Sequence, residues 1–129
     1  MTPEELLALA TEAAERSYSP YSRFRVGAAI VTASGDVVTG ANIENAAYGA
    51  SVCAETNAIT TAAGAGVRAI TTVAVACLDG DVCTPCGNCR QVMREFGVER
   101  VILRHPDGTP WLTTLAELLP ESFGPEALE

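Results

Sequence analysis

The run Ala69-Ile-Thr-Thr-Val-Ala-Val-Ala-Cys-Leu78 restricts the fold more than any other part of the chain. It is rich in apolar and β-branched residues and lacks the in/out alternation of a half-exposed strand, so it reads as a strand buried on both faces. A strand of that kind needs a covering layer on each side. The segments around it supply such layers, because helix-spaced stretches alternate with short strand-like ones. Together they predict an α/β fold of three layers, α/β/α, with a central mixed sheet.

The element reading starts at Thr2-Pro3-Glu4-Glu5, where a Thr-x-x-Glu capping box and a proline at the first helical position open a helix. Leu6, Leu9, Ala10 and Ala13 continue it at helical spacing to about Ser17. FRVGAAIVTA and VVTGANI, separated by Ser34-Gly35-Asp36, predict a β-hairpin. SVCAETNAITTAA predicts a second helix with Ser51 as N-cap and Gly64 and Gly66 as its stop. The buried strand follows and ends at Asp79-Gly80-Asp81. PCGNCRQVMREFG predicts a third helix starting at Pro85 and ending at Gly97, with Cys89, Val92, Met93 and Phe96 on one face. VERVILR reads as a strand, HPDGTP as a turn, and Thr114-Leu115-Ala116-Glu117 as the capping box of a short helix that Pro120 ends. Residues 120–129 are expected to be an irregular tail. No repeat or linker interrupts residues 1–129, so we expect a single catalytic domain.

Composition excludes several classes of function. The net charge is −8, all eight cations are arginines, and they are scattered along the chain. No basic stripe exists to meet a phosphate backbone, so polymeric nucleic acid is not an expected partner. No apolar run approaches the ~20 residues of a membrane span, and the acidic start MTPEELLALA is unlike a secretory signal. The expected location is cytoplasmic. There, five cysteines point to metal binding, catalysis or buried thiols rather than a disulfide framework.

Cys86-x-x-Cys89 at a helix start can bring two sulfurs to one tetrahedral zinc at ~2.3 Å. Taken alone it fits a redox dithiol, half of a structural zinc site or a catalytic site, and Cys83 adds an overlapping Cys83-x-x-Cys86. Cys53 and Glu55 narrow the choice. In mid-helix, positions i and i+2 diverge, but in the first turn both can serve a site beyond the helix end. Two helix N-termini facing one site would favour thiolates through their partial positive charge. Three thiolates on zinc would leave a fourth position open, and Glu55, not itself a ligand, could carry protons there.

At these residues the sequence resembles the zinc-dependent cytidine deaminases of the small, homotetrameric type. CAE and PCGNCRQ carry the likeness, and YSPYSRFRVGAAI, GANIENAAYG and ELLPESF extend it in the same order from about Leu6 to Phe123. The resemblance implies one Zn²⁺ per chain on Cys53, Cys86 and Cys89, with Glu55 as proton shuttle while water attacks C4 of the cytosine ring. It further implies that Asn42 and Glu44 bind the ribose 3′-hydroxyl and that Phe24 packs on the pyrimidine. The Ala54 backbone and the segment through Tyr48 would line the pocket, and Phe123 would enter a neighbouring subunit's site in a homotetramer. The implied reaction converts cytidine or deoxycytidine to uridine or deoxyuridine and ammonia, as in pyrimidine salvage.

The chain departs from the family pattern at Thr56, where an arginine commonly follows CAE and offsets the charge of three thiolates. Arg90, Gln91 and the helix ends would then carry more of that compensation. Cys77 and Cys83 are read as non-ligands, and His105, the only histidine, as an exposed turn residue. A related zinc deaminase acting on another aminated heterocycle, such as blasticidin S or a free base, is the alternative enzyme. A non-catalytic zinc-binding or redox module is the alternative of another class; it needs neither Glu55 nor the Asn42-x-Glu44 pair.

Overall fold

A computed structural model describes all residues, Met1–Glu129. Five strands form one sheet in the order β2-β1-β3-β4-β5. Strands β1 (Val26–Thr32) and β2 (Val37–Ala41) make the expected hairpin, and β3 (Ile70–Cys77) lies antiparallel to β1 on its other side. Strand β4 (Arg100–Arg104) runs parallel to β3, and β5 (Pro110–Thr114) returns antiparallel to β4. The sheet is therefore mixed, as expected. The parallel step is made by the crossover through helix α3 (Gly87–Glu95).

Helix α1 (Pro3–Ala14) covers one face, where Leu6, Leu7 and Ala10 pack with Ala29, Ala74, Ala76 and Ile102. Helices α2 (Ala54–Gly64), α3 and the short α4 (Leu115–Leu118) cover the other, with Ala58, Ile59, Met93 and Leu115 against Ile30, Val73, Val75, Val101 and Leu103. Residues of β3 alternate between these two cores: Val73 and Val75 belong to one, Ala74 and Ala76 to the other. That division is why the segment lacks polar alternation. Two glycines set the layer spacing. A Cβ at Gly27 would strike the α1 backbone at Ala10, and one at Gly40 would lie 2.7 Å from the Ala58 nitrogen of α2.

The structure corrects several element boundaries. Helix α1 ends at Ala14 rather than about Ser17, because Ser17 leaves the helix to bond Asn42 and Tyr18 bridges to Ile43. Ser51 is not the N-cap of α2. The chain stays extended through Val52, which exchanges both backbone hydrogen bonds with Ile43, so Cys53 becomes the N-cap. Pro85 likewise precedes the N-cap of α3, which is Cys86. Residues 110–114, not read as a strand, form edge strand β5; proline is tolerated there because β4 is its sole neighbour. The tail is less irregular than expected, since Pro125–Leu128 form a 3₁₀ turn. Both capping boxes place their threonine as N-cap: Thr2 Oγ1 accepts from the Glu5 nitrogen at 3.1 Å and Thr114 Oγ1 from the Glu117 nitrogen at 3.2 Å.

Candidate active site

The starts of α2 and α3 converge. Cys53 and Cys86 are their N-caps, both in extended backbone geometry, and neither side chain caps its own helix. Cys89 lies in the first turn of α3 and is fully buried. The three sulfurs all lie within 4.8 Å of one another, with Cys53 and Cys86 3.8 Å apart. Four tetrahedral positions ~2.3 Å from a zinc are ~3.8 Å apart, so the cluster has the right size to hold one such ion. Its donors are all sulfur, which suits zinc better than a hard cation. The Cys89 thiol is pushed up by its hydrogen bond with Cys53, by burial and by the charge of Glu55. The Cys89 thiol thus keeps its proton until a cation compensates it, and the three-sulfur set fits a divalent metal.

Glu55 occupies the first turn of α2 beside this cluster and is only 4% exposed. Burial pushes its carboxyl above the usual range, and hydrogen bonds from its own backbone and from Cys89 pull the other way. A buried carboxyl next to three convergent sulfurs is equipped for proton transfer. Ala54, the first residue of α2, is fully buried between Cys53 and Glu55.

The expected substrate residues reach this region through the backbone. Ile43 pairs with Val52, so Asn42 and Glu44 flank the residue that bridges to the neighbour of Cys53. Their side chains also serve the fold. Asn42 Oδ1 accepts from the Val26 nitrogen at 2.9 Å and from Ser17 Oγ at 2.5 Å, while Nδ2 donates to the Phe24 carbonyl at 2.8 Å. Glu44 Oε1 accepts from the nitrogens of Tyr21 and Ser22 at 3.0 and 3.1 Å, and Oε2 accepts from the Ser22 hydroxyl. Those bonds hold the Glu44 carboxyl below its usual range. They also shape a cleft of about 360 Å³ lined by Tyr21, Ser22, Glu44, Tyr48 and Ser51. Tyr48, 76% exposed, meets Tyr21 edge-on at 5.9 Å.

Phe24 stands at the same end of the sheet, 36% exposed and close to Gly80. The loops bearing Phe24 and Gly80 are tied by a fork in which Arg25 Nε and Nη2 donate to Asp79 at 2.9 and 3.0 Å. This bonding pulls the Asp79 carboxyl down to about 2. The pair joins residues 54 positions apart, and nothing in the local sequence announced it. Thr56, which stands where the family commonly has an arginine, places its hydroxyl 3.4 Å from the Cys89 sulfur. Arg90 and Gln91 point elsewhere: Arg90 Nη1 donates to the Leu118 carbonyl at 2.5 Å and Gln91 Nε2 to the Phe123 carbonyl at 2.8 Å. Phe123 itself is 61% exposed. Cys77 and Cys83 lie outside the three-sulfur cluster, and burial pushes both thiols up. His105 is exposed and stacks on Trp111 with ring centroids 5.5 Å apart.

Comparison with known proteins gives these features a context. Residues 1–105 match the family model described as the cytidine and deoxycytidylate deaminase zinc-binding region. The chain is 44% identical over 117 residues to a cytidine deaminase of Mycobacterium tuberculosis, covering 89% of this chain and 84% of that one. It is 42% identical over 130 aligned positions to a cytidine deaminase of Sporosarcina psychrophila, covering 99% and 96%. The crystal structure of cytidine deaminase from Burkholderia pseudomallei superposes with a TM-score of 0.88 at 42% identity, covering 95% of this chain and 100% of that one. With the family model spanning most of the chain and these relatives matched along most of their length, the chain belongs to the zinc-binding cytidine and deoxycytidylate deaminase family.

Proposed function

We propose that this chain hydrolyses the exocyclic amine of cytidine or deoxycytidine, yielding uridine or deoxyuridine and ammonia, with residues 1–129 forming one catalytic domain. The observation that carries the reading is the buried Glu55 carboxyl set beside three convergent cysteine sulfurs at two helix starts. Cys53, Cys86 and Cys89 would hold one Zn²⁺, which when bound supplies the Lewis acidity that makes water nucleophilic near pH 7. The water oxygen adds to C4 of the ring, and the C4–N4 bond breaks. Glu55 takes a proton from the attacking water, holds it away from solvent, and delivers protons to N3 and to the departing amine. Asn42 and Glu44 offer a donor and acceptors to the ribose 3′-hydroxyl, and Phe24 an apolar ring to the base. Thr56 and the α2 and α3 N-termini temper the thiolate charge at close range, and Arg90 adds a more distant cation.

The isolated chain exposes Tyr18, Tyr21, Phe24, Ile43, Tyr48 and Phe123. We read this as the surface of a homotetramer in which neighbouring subunits complete each pocket, Phe123 entering the next subunit's site. No helix is long and apolar enough to cross a membrane, and we place the enzyme in cytoplasmic pyrimidine salvage. The deciding experiment is ammonia release by purified, zinc-replete protein offered cytidine, deoxycytidine, cytosine and blasticidin S. Turnover confined to the two nucleosides is expected. Turnover of the antibiotic or the free base alone would replace the nucleoside reading, and no turnover with any of the four would remove it. Size-exclusion chromatography with light scattering tests the tetramer, and a fully active monomer would sink the composite site.

A further inference from the structure

We propose that Arg94 is a positioning residue for Phe123, gripping the C-terminal tail so that the aromatic ring is held off its own subunit in a fixed attitude. This rests on the reading above in which Phe123 completes a neighbouring site. Gln91 and Arg94 are three residues apart on one face of α3, the helix whose start carries Cys86 and Cys89. Along that face they meet the tail in sequence. Gln91 donates to the Phe123 carbonyl at 2.8 Å, Arg94 Nε donates to Ser122 Oγ at 2.9 Å, and Arg94 Nη2 pairs with the Glu126 carboxylate. The tail is thereby held at the Phe123 carbonyl and, through the Ser122 and Glu126 side chains, on both sides of it, while the Phe123 ring stays 61% exposed, which is how a side chain is presented rather than stored in a core.

Two further features fit the grip. Glu121 adopts φ 53, in the left-handed region that non-glycine residues rarely occupy, and it turns the chain from Pro120 so that Ser122 meets Arg94. Gly124 is buried against the guanidinium: a Cβ built there would sit 2.6 Å from Arg94 Cζ and 2.8 Å from the Glu126 carboxylate. Gly124→Ala should therefore dislodge the guanidinium without removing it, and with little cost to folding, because the obstructing atoms end a flexible side chain. The helix that positions two metal-binding cysteines would in this way also set the reach of the aromatic group lent to a neighbour.

The test combines kinetics with exchange on the zinc-loaded assembly. Arg94→Ala and Gly124→Ala should each speed amide hydrogen exchange across residues 121–128. Each should also raise KM for cytidine about tenfold, with kcat and zinc content close to the parent. Phe123→Ala should raise KM as well, and Arg94→Ala added to it should change KM no further, since the grip acts through that ring. Unchanged tail exchange in both variants would overturn the grip. Additive effects of Arg94→Ala and Phe123→Ala would overturn its action through Phe123. If Phe123→Ala alone leaves KM unchanged while tail exchange in Arg94→Ala rises, the composite-site reading fails and the positioning role falls with it.

Discussion

The metal end of the site and the end proposed for the sugar are built in opposite ways. At the metal end, two short motifs place Cys53, Glu55, Cys86 and Cys89 at helix starts, and the sulfurs make few hydrogen bonds beyond those with each other and with Thr56. At the sugar end, Asn42 and Glu44 are tied by several hydrogen bonds to a loop 16–25 residues earlier in the chain. Groups kept free of structural bonds are available for chemistry, and their loss should spare the fold. Groups already bonded to the scaffold do two jobs, and their loss should damage both.

The largest expected effect breaks the metal end. Cys86→Ser or Cys89→Ser should abolish tight zinc binding and turnover together, whereas Cys83→Ser should retain the metal, as metal analysis of purified variants will show. Zinc retained by Cys86→Ser but lost by Cys83→Ser would reverse the ligand assignment. Next comes Glu55→Gln, which should keep fold and zinc but lower kcat about 10²–10⁴-fold, because an amide of the same shape cannot relay protons. Substantial turnover in that zinc-loaded variant would move the shuttle to another group.

The sugar end should respond differently. Asn42→Ala should lower unfolding stability by about 2 kcal/mol in urea titrations, since the Val26 nitrogen and the Phe24 carbonyl both lose a partner. It should weaken nucleoside binding at the same time. A variant as stable as the parent but impaired in binding would show that Asn42 serves substrate alone. The smallest effect concerns the Arg25–Asp79 fork beneath Phe24. The Asp79 carboxyl is depressed from its ordinary 3.8 to about 2, so its contribution is present above pH ~4 and lost as pH falls through about 2. Asp79→Asn should therefore lower stability slightly above pH ~4, make no difference below about pH 2, and so flatten the acid limb of the stability curve in that window. The change should be small because the pair is solvent-exposed. A parallel shift at all pH values would mean the fork matters through packing rather than charge.

The metal end was also the part most legible in sequence. Cys86-x-x-Cys89 and Cys53-x-Glu55 are local patterns, and a helix start converts such spacing directly into direction. The unalternating β3 segment similarly implied two covering layers, and α1 on one face with α2 and α3 on the other supply them. The misjudged boundaries share one cause. Ser51 was expected to cap α2, but Val52 pairs with Ile43 and moves the cap to Cys53; residues 110–114 became a strand because β4 offered an edge. In both places a distant partner outweighed local preference.

The sequence by itself determined which side chains this protein has for chemistry and the helix starts that aim them, because capping and periodicity act over three or four residues. Tertiary structure alone decided what each polar group is bonded to: Asn42 to Val26 and Phe24, Arg25 to Asp79, Thr56 to Cys89, Arg94 to the tail. These partners lie 16 to 54 residues apart, and the physical reason is common to all of them. A hydrogen bond forms where the packed layers bring donor and acceptor within about 3 Å, and nothing in a short stretch of chain records where its partner will arrive.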